Sequence, residues 1–280
     1  MLFSKDPADY YEFIGRDIVL GMDAGREDDP TWLNLGYWEQ ARTYPEAAAA
    51  LATLLGEQAQ LNRQDRVLDV GFGFGDQDFL WLERYAVEHI TGVNISPMHV
   101  EQAQARAARE GLGGRLDFRL GSATELAFEA ASFSKVTALE SAFHFDTRVQ
   151  FFAEAFRVLR PGGTLSIADC LPWPGDVEGF DWKTRMVLRR CCVPLVNMYD
   201  RDEYCRHLEA AGFVNVEARS IREYVFPGCA KYRALRLAGD SLRDATIELS
   251  EAEIASCLGL EGFQAMGLSD YALIRADKPG

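Results

Sequence analysis

Residues Asp65–Leu80, DRVLDVGFGFGDQDFL, restrict the fold of this chain more than any other stretch. The short apolar run Val67, Leu68, Asp69, Val70 ends in three glycines at alternate positions, Gly71, Gly73 and Gly75, and an amphipathic segment follows. This reads as strand, tight turn, helix. Glycine has no β-carbon, so the main chain can bend sharply there and lie close to a ligand. The loop sits at the carboxyl end of a strand, where open α/β sheets bind their ligands. A phosphate-binding loop would need Lys-Ser or Lys-Thr after its last glycine, and this loop lacks it. The dinucleotide fingerprint G-x-G-x-x-G fails because Asp76 follows Gly75. An aspartate at a helix entry suits an amine or a hydroxyl better than a pyrophosphate.

Length and charge bound the remaining possibilities. The 280 residues suffice for one α/β domain with a sizeable core and an insertion. A formal charge of −14 argues against nucleic acid or an anionic membrane as the main partner. No apolar run reaches the roughly 18 residues of a membrane helix. The opening MLFSKDPADYYEF has no apolar signal core, so a cytoplasmic location is expected. The six cysteines, at positions 170, 191, 192, 205, 229 and 257, form no C-x-x-C pair and no histidine stands at zinc-finger spacing. They read as reduced thiols, and no metal site is indicated.

Apolar segments then alternate in kind. Strands are expected at residues 66–70, 88–94, 115–120, 134–139, 164–169, 213–219 and 271–277, and helices at 98–110, 148–159 and 201–211. Pro161, Gly162 and Gly163 should turn the chain into the fifth strand. Strands alternating with helices imply right-handed βαβ crossovers and a doubly wound, mostly parallel sheet covered on both faces. Residues 1–60 fall outside that pattern as a helical N-terminal cap, leaving 61–280 for the main domain. Within it, segments at about 170–200 and 221–269 also depart from the pattern. The first of these carries Trp173, Phe180, Trp182, Met186, Leu188, Val193, Leu195, Met198 and Tyr199, either as a lid with a substrate pocket or as ordinary packing.

The G-x-G-x-G spacing preceded by Asp69 resembles the first motif of class I S-adenosylmethionine-dependent methyltransferases. WLNLGYWE at Trp32–Glu39 and RVLRPGG at Arg157–Gly163 are similar to segments of the same class. The nearest likeness is the small-molecule branch with macrolide, sugar and indolocarbazole O-methyltransferases. The resemblance implies a Rossmann-like sheet of seven strands with the last one antiparallel, and S-adenosylmethionine as donor with S-adenosylhomocysteine as product. It also implies roles for particular residues. Gly71, Gly73 and Gly75 would shape the loop, the first two contacting the methionine end of the donor. Asp69 would hold the loop and approach the donor's amino group, and Gln77 would join the same set. Asn94 stands where the family usually has an acid for the ribose diol, and Ile95 would pack on adenine. Ser122, in place of the usual aspartate, would serve the adenine amino group with the Ala123 amide. Tyr37 would hydrogen-bond the methionine carboxylate, and Trp38 would exclude water.

In-line methyl transfer needs alignment above all, and a base when the nucleophile is a hydroxyl. Just past the fourth strand, in ALESAFHFDTR, stand Glu140 and His144. Related methyltransferases have a histidine here, proposed as general base; that role is expected for His144. Glu140 would touch the donor or order the loop, and Asp146 is a candidate to orient the imidazole. Lys183, Arg185, Arg189 and Arg190 concentrate positive charge within eight residues, as a solvated helix face or as a site for an anionic substrate or carrier protein. The expected function is methyl transfer to an oxygen of a hydrophobic natural product or lipid-like acceptor. Carbon methylation, cyclopropane formation and noncatalytic donor sensing stay as alternatives. The sequence leaves open a homodimer.

Overall fold

The computed structural model describes residues 31–176, 180–237 and 267–280. Residues 1–30 of the expected cap and 238–266 of the second lid segment lie outside the described residues. The described part of the cap is an extended strap, residues 31–38, followed by helix α1, Tyr44–Ala59. Thr43 caps that helix, and its side chain and that of Glu46 satisfy each other's backbone amides in a capping box. Ala47, Ala48, Leu51, Ala52, Leu55 and Ala59 recur at helical spacing and are fully buried against the sheet.

The sheet comprises β1 (Arg66–Val70), β2 (His89–Asn94), β3 (Leu116–Leu120), β4 (Phe133–Leu139), β5 (Leu159–Leu171), β6 (Val214–Ser220) and β7 (Asp270–Asp277). Their order across the sheet is β3-β2-β1-β4-β5-β7-β6. All pairs from β3 to β5 are parallel, while β7 runs antiparallel to both β5 and β6. This is the expected doubly wound, Rossmann-like architecture with an antiparallel last strand. Helices α2 (Asp76–Tyr85), α3 (Pro97–Arg109), α4 (Arg148–Val158), α5 (Trp182–Arg190), α6 (Arg201–Ala210) and α7 (Arg222–Leu237) complete the described chain. One face of the sheet packs on Leu51, Leu55, Trp81 and Val100; the other packs on Phe151, Phe152, Tyr204 and Leu208. Among the described residues no helix is long and apolar enough to cross a membrane.

The fifth strand corrects the expectation of a plain turn at Pro161–Gly163. It begins at Leu159, which pairs with Phe133, and the register then jumps so that Thr164 pairs with Lys135. The intervening residues form a bulge. A β-carbon on Gly163 would lie 2.9 Å from the Arg160 and Ser134 carbonyl oxygens, so the bulge requires glycine there.

The strand order reverses at β1. The connection after β1 leads to β2 on one side and the connection after β4 leads to β5 on the other, which opens a crevice above the carboxyl ends of β1 and β4. Gly71 and Glu140 stand at that crevice, one past each strand.

Candidate active site

A cavity of about 310 Å³ fills the crevice. Its floor is the turn Gly71–Phe74, its far wall is Asn94, Ile95 and Ser122–Thr124, and its near wall is Leu139–Ser141 with Phe143–Asp146. The strap residues Thr31–Leu35 and Cys191, after α5, close it. Gly71 adopts φ +81° and Gly73 φ +59°, the left-handed region that side chains disfavour. A β-carbon on Gly71 would collide with Ser141, whose Oγ would be 2.6 Å away. Ser141 is itself fixed by donating to the Val70 carbonyl at 2.8 Å.

Asp69 lies beneath this floor, fully buried. It accepts hydrogen bonds from Gln77 Nε2 and Thr137 Oγ1, each at 2.9 Å, while Gln77 also donates to the Phe72 carbonyl. Asp69 therefore ties the glycine turn to β4 through Gln77 and Thr137. Burial pushes its carboxyl up to about 6 against those hydrogen bonds. The neighbouring Asp78 is pushed up well above the carboxylate range by burial and by the Asp69 charge. Of the expected donor-site set, Gly71, Gly73, Gln77, Asn94, Ile95, Ser122, Ala123 and Glu140 line the cavity, and Asp69 and Gly75 do not. Asn94 Oδ1 accepts from the Ser96 amide and its Nδ2 approaches the Gly73 carbonyl at 3.4 Å, so its side chain braces the loop.

Tyr37 and Trp38 stand outside the lining as well. The Tyr37 hydroxyl donates to Glu39 at 3.1 Å and its ring packs on Tyr224. The Trp38 ring packs on Tyr232 and would overlap a β-carbon at Gly228, which fastens the strap to α7. Trp32, Leu33, Asn34 and Leu35 reach the cavity instead. The tetrapeptide is held by its main chain. The Tyr44 hydroxyl lies 2.9 Å from both the Trp32 and Asn34 carbonyls, and the Leu35 amide donates to Glu140 Oε2 at 2.8 Å. No side-chain pattern signals contacts of this kind in a sequence.

Glu140 has φ +50° and also accepts from the Tyr271 hydroxyl at 2.7 Å. Burial raises its carboxyl to about 8; the hydrogen bonds from Leu35 and Tyr271 only partly offset this. His144 closes a one-turn 3-10 helix, Ala142–His144, and lines the cavity. Its Nδ1 lies 3.2 Å from the Cys192 carbonyl, and Asp146, expected to orient the ring, lines the same cavity. Burial pushes the imidazole down to about 4, with the Arg148 charge adding to the effect and the Cys192 and Cys191 main chain opposing it.

The loop bearing His144 rests on a buried network with no counterpart in the sequence reading. Arg148 and Asp169, both fully buried, form an ion pair at 3.0 Å. Asp169 Oδ1 accepts from the Phe143 amide at 3.1 Å. Asn197 Nδ2 donates to the Phe143 and Phe145 carbonyls at 3.2 and 2.6 Å, and its own carbonyl accepts from Arg148. His144 is thus bracketed by two residues whose main chains are both pinned. The lid aromatics are placed differently from a pocket wall. Trp182 and Met186 are exposed, and Leu188, Val193, Met198 and Tyr199 are buried in the core. From residues 170–200 only Cys191 is among the described cavity lining.

The electrostatics of the lining select the ligand class. Asp76, Glu140 and Asp146 face the cavity, and none of its described lining residues is Lys or Arg. Asp76 is ion-paired with Arg106 at 2.6 Å and burial raises the Glu140 carboxyl, so the lining holds little net charge; with no cationic side chain facing it, the cavity gives a pyrophosphate no charged partner. Comparison with known proteins decides the family. A methyltransferase-domain family model matches residues 68–167. The chain is 38% identical over 259 residues to erythromycin 3''-O-methyltransferase of Saccharopolyspora erythraea, covering 89% of this chain and 84% of that one. It is 33% identical to 27-O-demethylrifamycin SV methyltransferase of Amycolatopsis mediterranei, covering 90% and 92%.

The chain belongs to the class I S-adenosylmethionine-dependent small-molecule methyltransferases.

Solved structures agree on the fold. The cyclase SpnF superposes on this methyltransferase with a TM-score of 0.74 at 23% identity, covering 99% of this chain and 96% of that one. Geranyl diphosphate C-methyltransferase of Streptomyces coelicolor gives 0.69 at 17% identity, covering 94% and 97%. S-adenosylmethionine is the cofactor, and the cavity fits it. The methyltransferase offers main chain without a side chain at Gly71 and Gly73, apolar walls, and the carboxyl of Glu140 for a positively charged donor.

Proposed function

We propose that this methyltransferase methylates a hydroxyl oxygen of a bulky natural product of the erythromycin or rifamycin kind, with His144 as general base. One observation carries the reading: the imidazole of His144 faces the same cavity as the glycine turn, with Nδ1 engaged by a carbonyl. A neutral imidazole whose Nδ1–H donates carries its lone pair on Nε2. The names of the two relatives support oxygen as the acceptor atom.

S-adenosylmethionine supplies a methyl group already activated on sulfonium sulfur. The main chain at Gly71 and Gly73 would hold its amino-acid end, and the Glu140 carboxyl would face its positive charge. Asn94, Ile95, Ser122 and Ala123 form the nucleoside wall. The strap at Thr31–Leu35 and Cys191 close the cavity and exclude water. His144 is too weak a base to ionise a free alcohol. Its Nε2 takes the proton while the new carbon–oxygen bond forms, because the attacking hydroxyl then becomes strongly acidic. A positive charge near Glu140 favours that carboxyl's ionised form, so the wall facing the donor gains a negative charge when it is needed.

The test is incubation of the purified protein with S-adenosylmethionine and 3''-O-demethylated erythromycin or 27-O-demethylrifamycin SV. Mass spectrometry and carbon NMR then locate the added methyl. An O-methyl product that disappears in His144→Ala, with donor binding kept, is expected. A product methylated on carbon or nitrogen, or full turnover in His144→Ala, overturns the reading.

A further inference from the structure

We infer that Cys192 is a positioning residue for His144: its main-chain carbonyl, presented by the last turn of α5, selects the ring form that leaves Nε2 able to take a proton. The inference rests on the reading of His144 as base.

The geometry of the turn is specific. Helix α5 ends in a motif that normally requires glycine. The Val193 amide donates to the Leu188 carbonyl at 2.9 Å and the Cys192 amide to the Arg189 carbonyl at 3.3 Å, the paired reverse bonds of a Schellman turn. The hydrophobic contact of that motif is present, because Leu188 and Val193 are both buried in the same cluster. The left-handed residue between them is Cys192, at φ +53°. A side chain at that position strains the main chain and is usually replaced by glycine. The motif turns the Cys192 carbonyl out of the helix and toward His144, where Nδ1 lies 3.2 Å away. An amide carbonyl only accepts, so Nδ1 carries the hydrogen and Nε2 the lone pair.

The same turn has an electrostatic consequence. The carbonyl end of a helix is its negative pole, which favours a cation placed against it. His144 becomes such a cation when it takes the acceptor's proton. The deep burial that keeps the ring neutral at rest is thereby partly compensated during transfer. The helix that ends here presents Trp182, Met186 and the basic side chains of Lys183, Arg185 and Arg189 to solvent beside the cavity. An acceptor leaning on that face would press on the turn that sets the base.

The test compares Cys192→Gly, Cys192→Ala and Cys192→Val. Glycine keeps the left-handed conformation without strain, alanine removes only the thiol, and the β-branched valine opposes φ +53°. Two-dimensional NMR of ring nitrogens labelled with nitrogen-15 reads the tautomer of His144 directly. The expected result is an Nδ1–H ring in the unmodified protein, in Cys192→Gly and in Cys192→Ala. Cys192→Val should show a mixed tautomer and a kcat at least about tenfold lower, with the donor KM unchanged. Calorimetric binding of S-adenosylhomocysteine confirms that each variant is folded. An Nε2–H ring in the unmodified protein, or undiminished kcat in folded Cys192→Val, overturns the inference. The ring measurement needs no turnover. An active His144→Ala would therefore remove the base reading while leaving the tautomer result to stand by itself.

Discussion

The Leu35 amide donates to Glu140 Oε2 at 2.8 Å across a separation of 105 residues. The Tyr271 hydroxyl reaches the same oxygen at 2.7 Å. One carboxyl therefore joins the strap, the end of β4 and the last strand of the sheet, and it does so at the wall of the donor cavity.

That junction titrates. The Glu140 carboxyl, with an ordinary value of 4.5, is raised to about 8 in the fold. Between those values the folded state holds a proton that the unfolded chain releases, so its contribution to stability is complete below 4.5 and is lost as pH rises through about 8. The donor-free protein should melt several degrees lower at pH 9 than at pH 6, and Glu140→Gln should flatten that slope. Thermal unfolding across pH checks this, and parallel slopes in the two proteins would refute it.

For His144 the sign is opposite. Its imidazole falls from 6.5 to about 4, so the stability it contributes is present above 6.5 and is lost as pH falls through about 4. The ring stays neutral at pH 6, and kcat/KM should show no acid limb at the usual histidine value. His144→Gln should lower kcat about 10²- to 10³-fold with donor affinity nearly unchanged. Steady-state kinetics from pH 5 to 9 test both statements.

Gly71→Ala should disable the floor of the site. The new β-carbon would press on Ser141 and force alanine to φ +81°. The expected cost is about 1–3 kcal/mol of stability, with S-adenosylhomocysteine binding weakened at least about tenfold. Urea unfolding and calorimetric titration measure the two effects separately.

Arg148→Met should strand the Asp169 carboxyl in the interior. Both partners are fully buried, and removing one member of such a pair costs about 3–5 kcal/mol. The double variant Arg148→Met, Asp169→Leu should recover a large part of that stability. Turnover should nevertheless be low in the double variant, because the Phe143 amide then loses its acceptor. Chemical denaturation paired with an activity assay distinguishes the two.

The central strands β1, β4 and β7 were legible because each is a short apolar run whose burial on both faces enforces that pattern, whereas the edge strands β3 and β6 are partly exposed and mixed in composition. The glycine turn was legible because glycine alone combines an unstrained positive φ with the close approach found at Gly71, and the alternate glycines mark it in the sequence. Glu140 and His144 were legible as polar residues just past a strand's carboxyl end. Tyr37 and Trp38 illustrate the converse. Aromatic side chains in a motif draw attention, yet the strap lines the cavity with Trp32–Leu35 and is secured by main-chain bonds. Asn197 and Arg148 act over a separation of 49 residues, and no local periodicity marks such a pair. Cys192 was hidden for a further reason: the working part is a carbonyl, which every residue has, and the left-handed conformation is not written in a cysteine.

The antiparallel strand β7 lies between β5 and β6, although it follows both in the chain. A ribosome that has released the polypeptide only as far as β6 has made all the described residues that line the cavity, yet the gap in the sheet is still open and Tyr271 has not arrived. Cofactor capture thus becomes a late event in biosynthesis, so a nascent chain stalled short of residue 270 should sequester little of the cell's methyl donor.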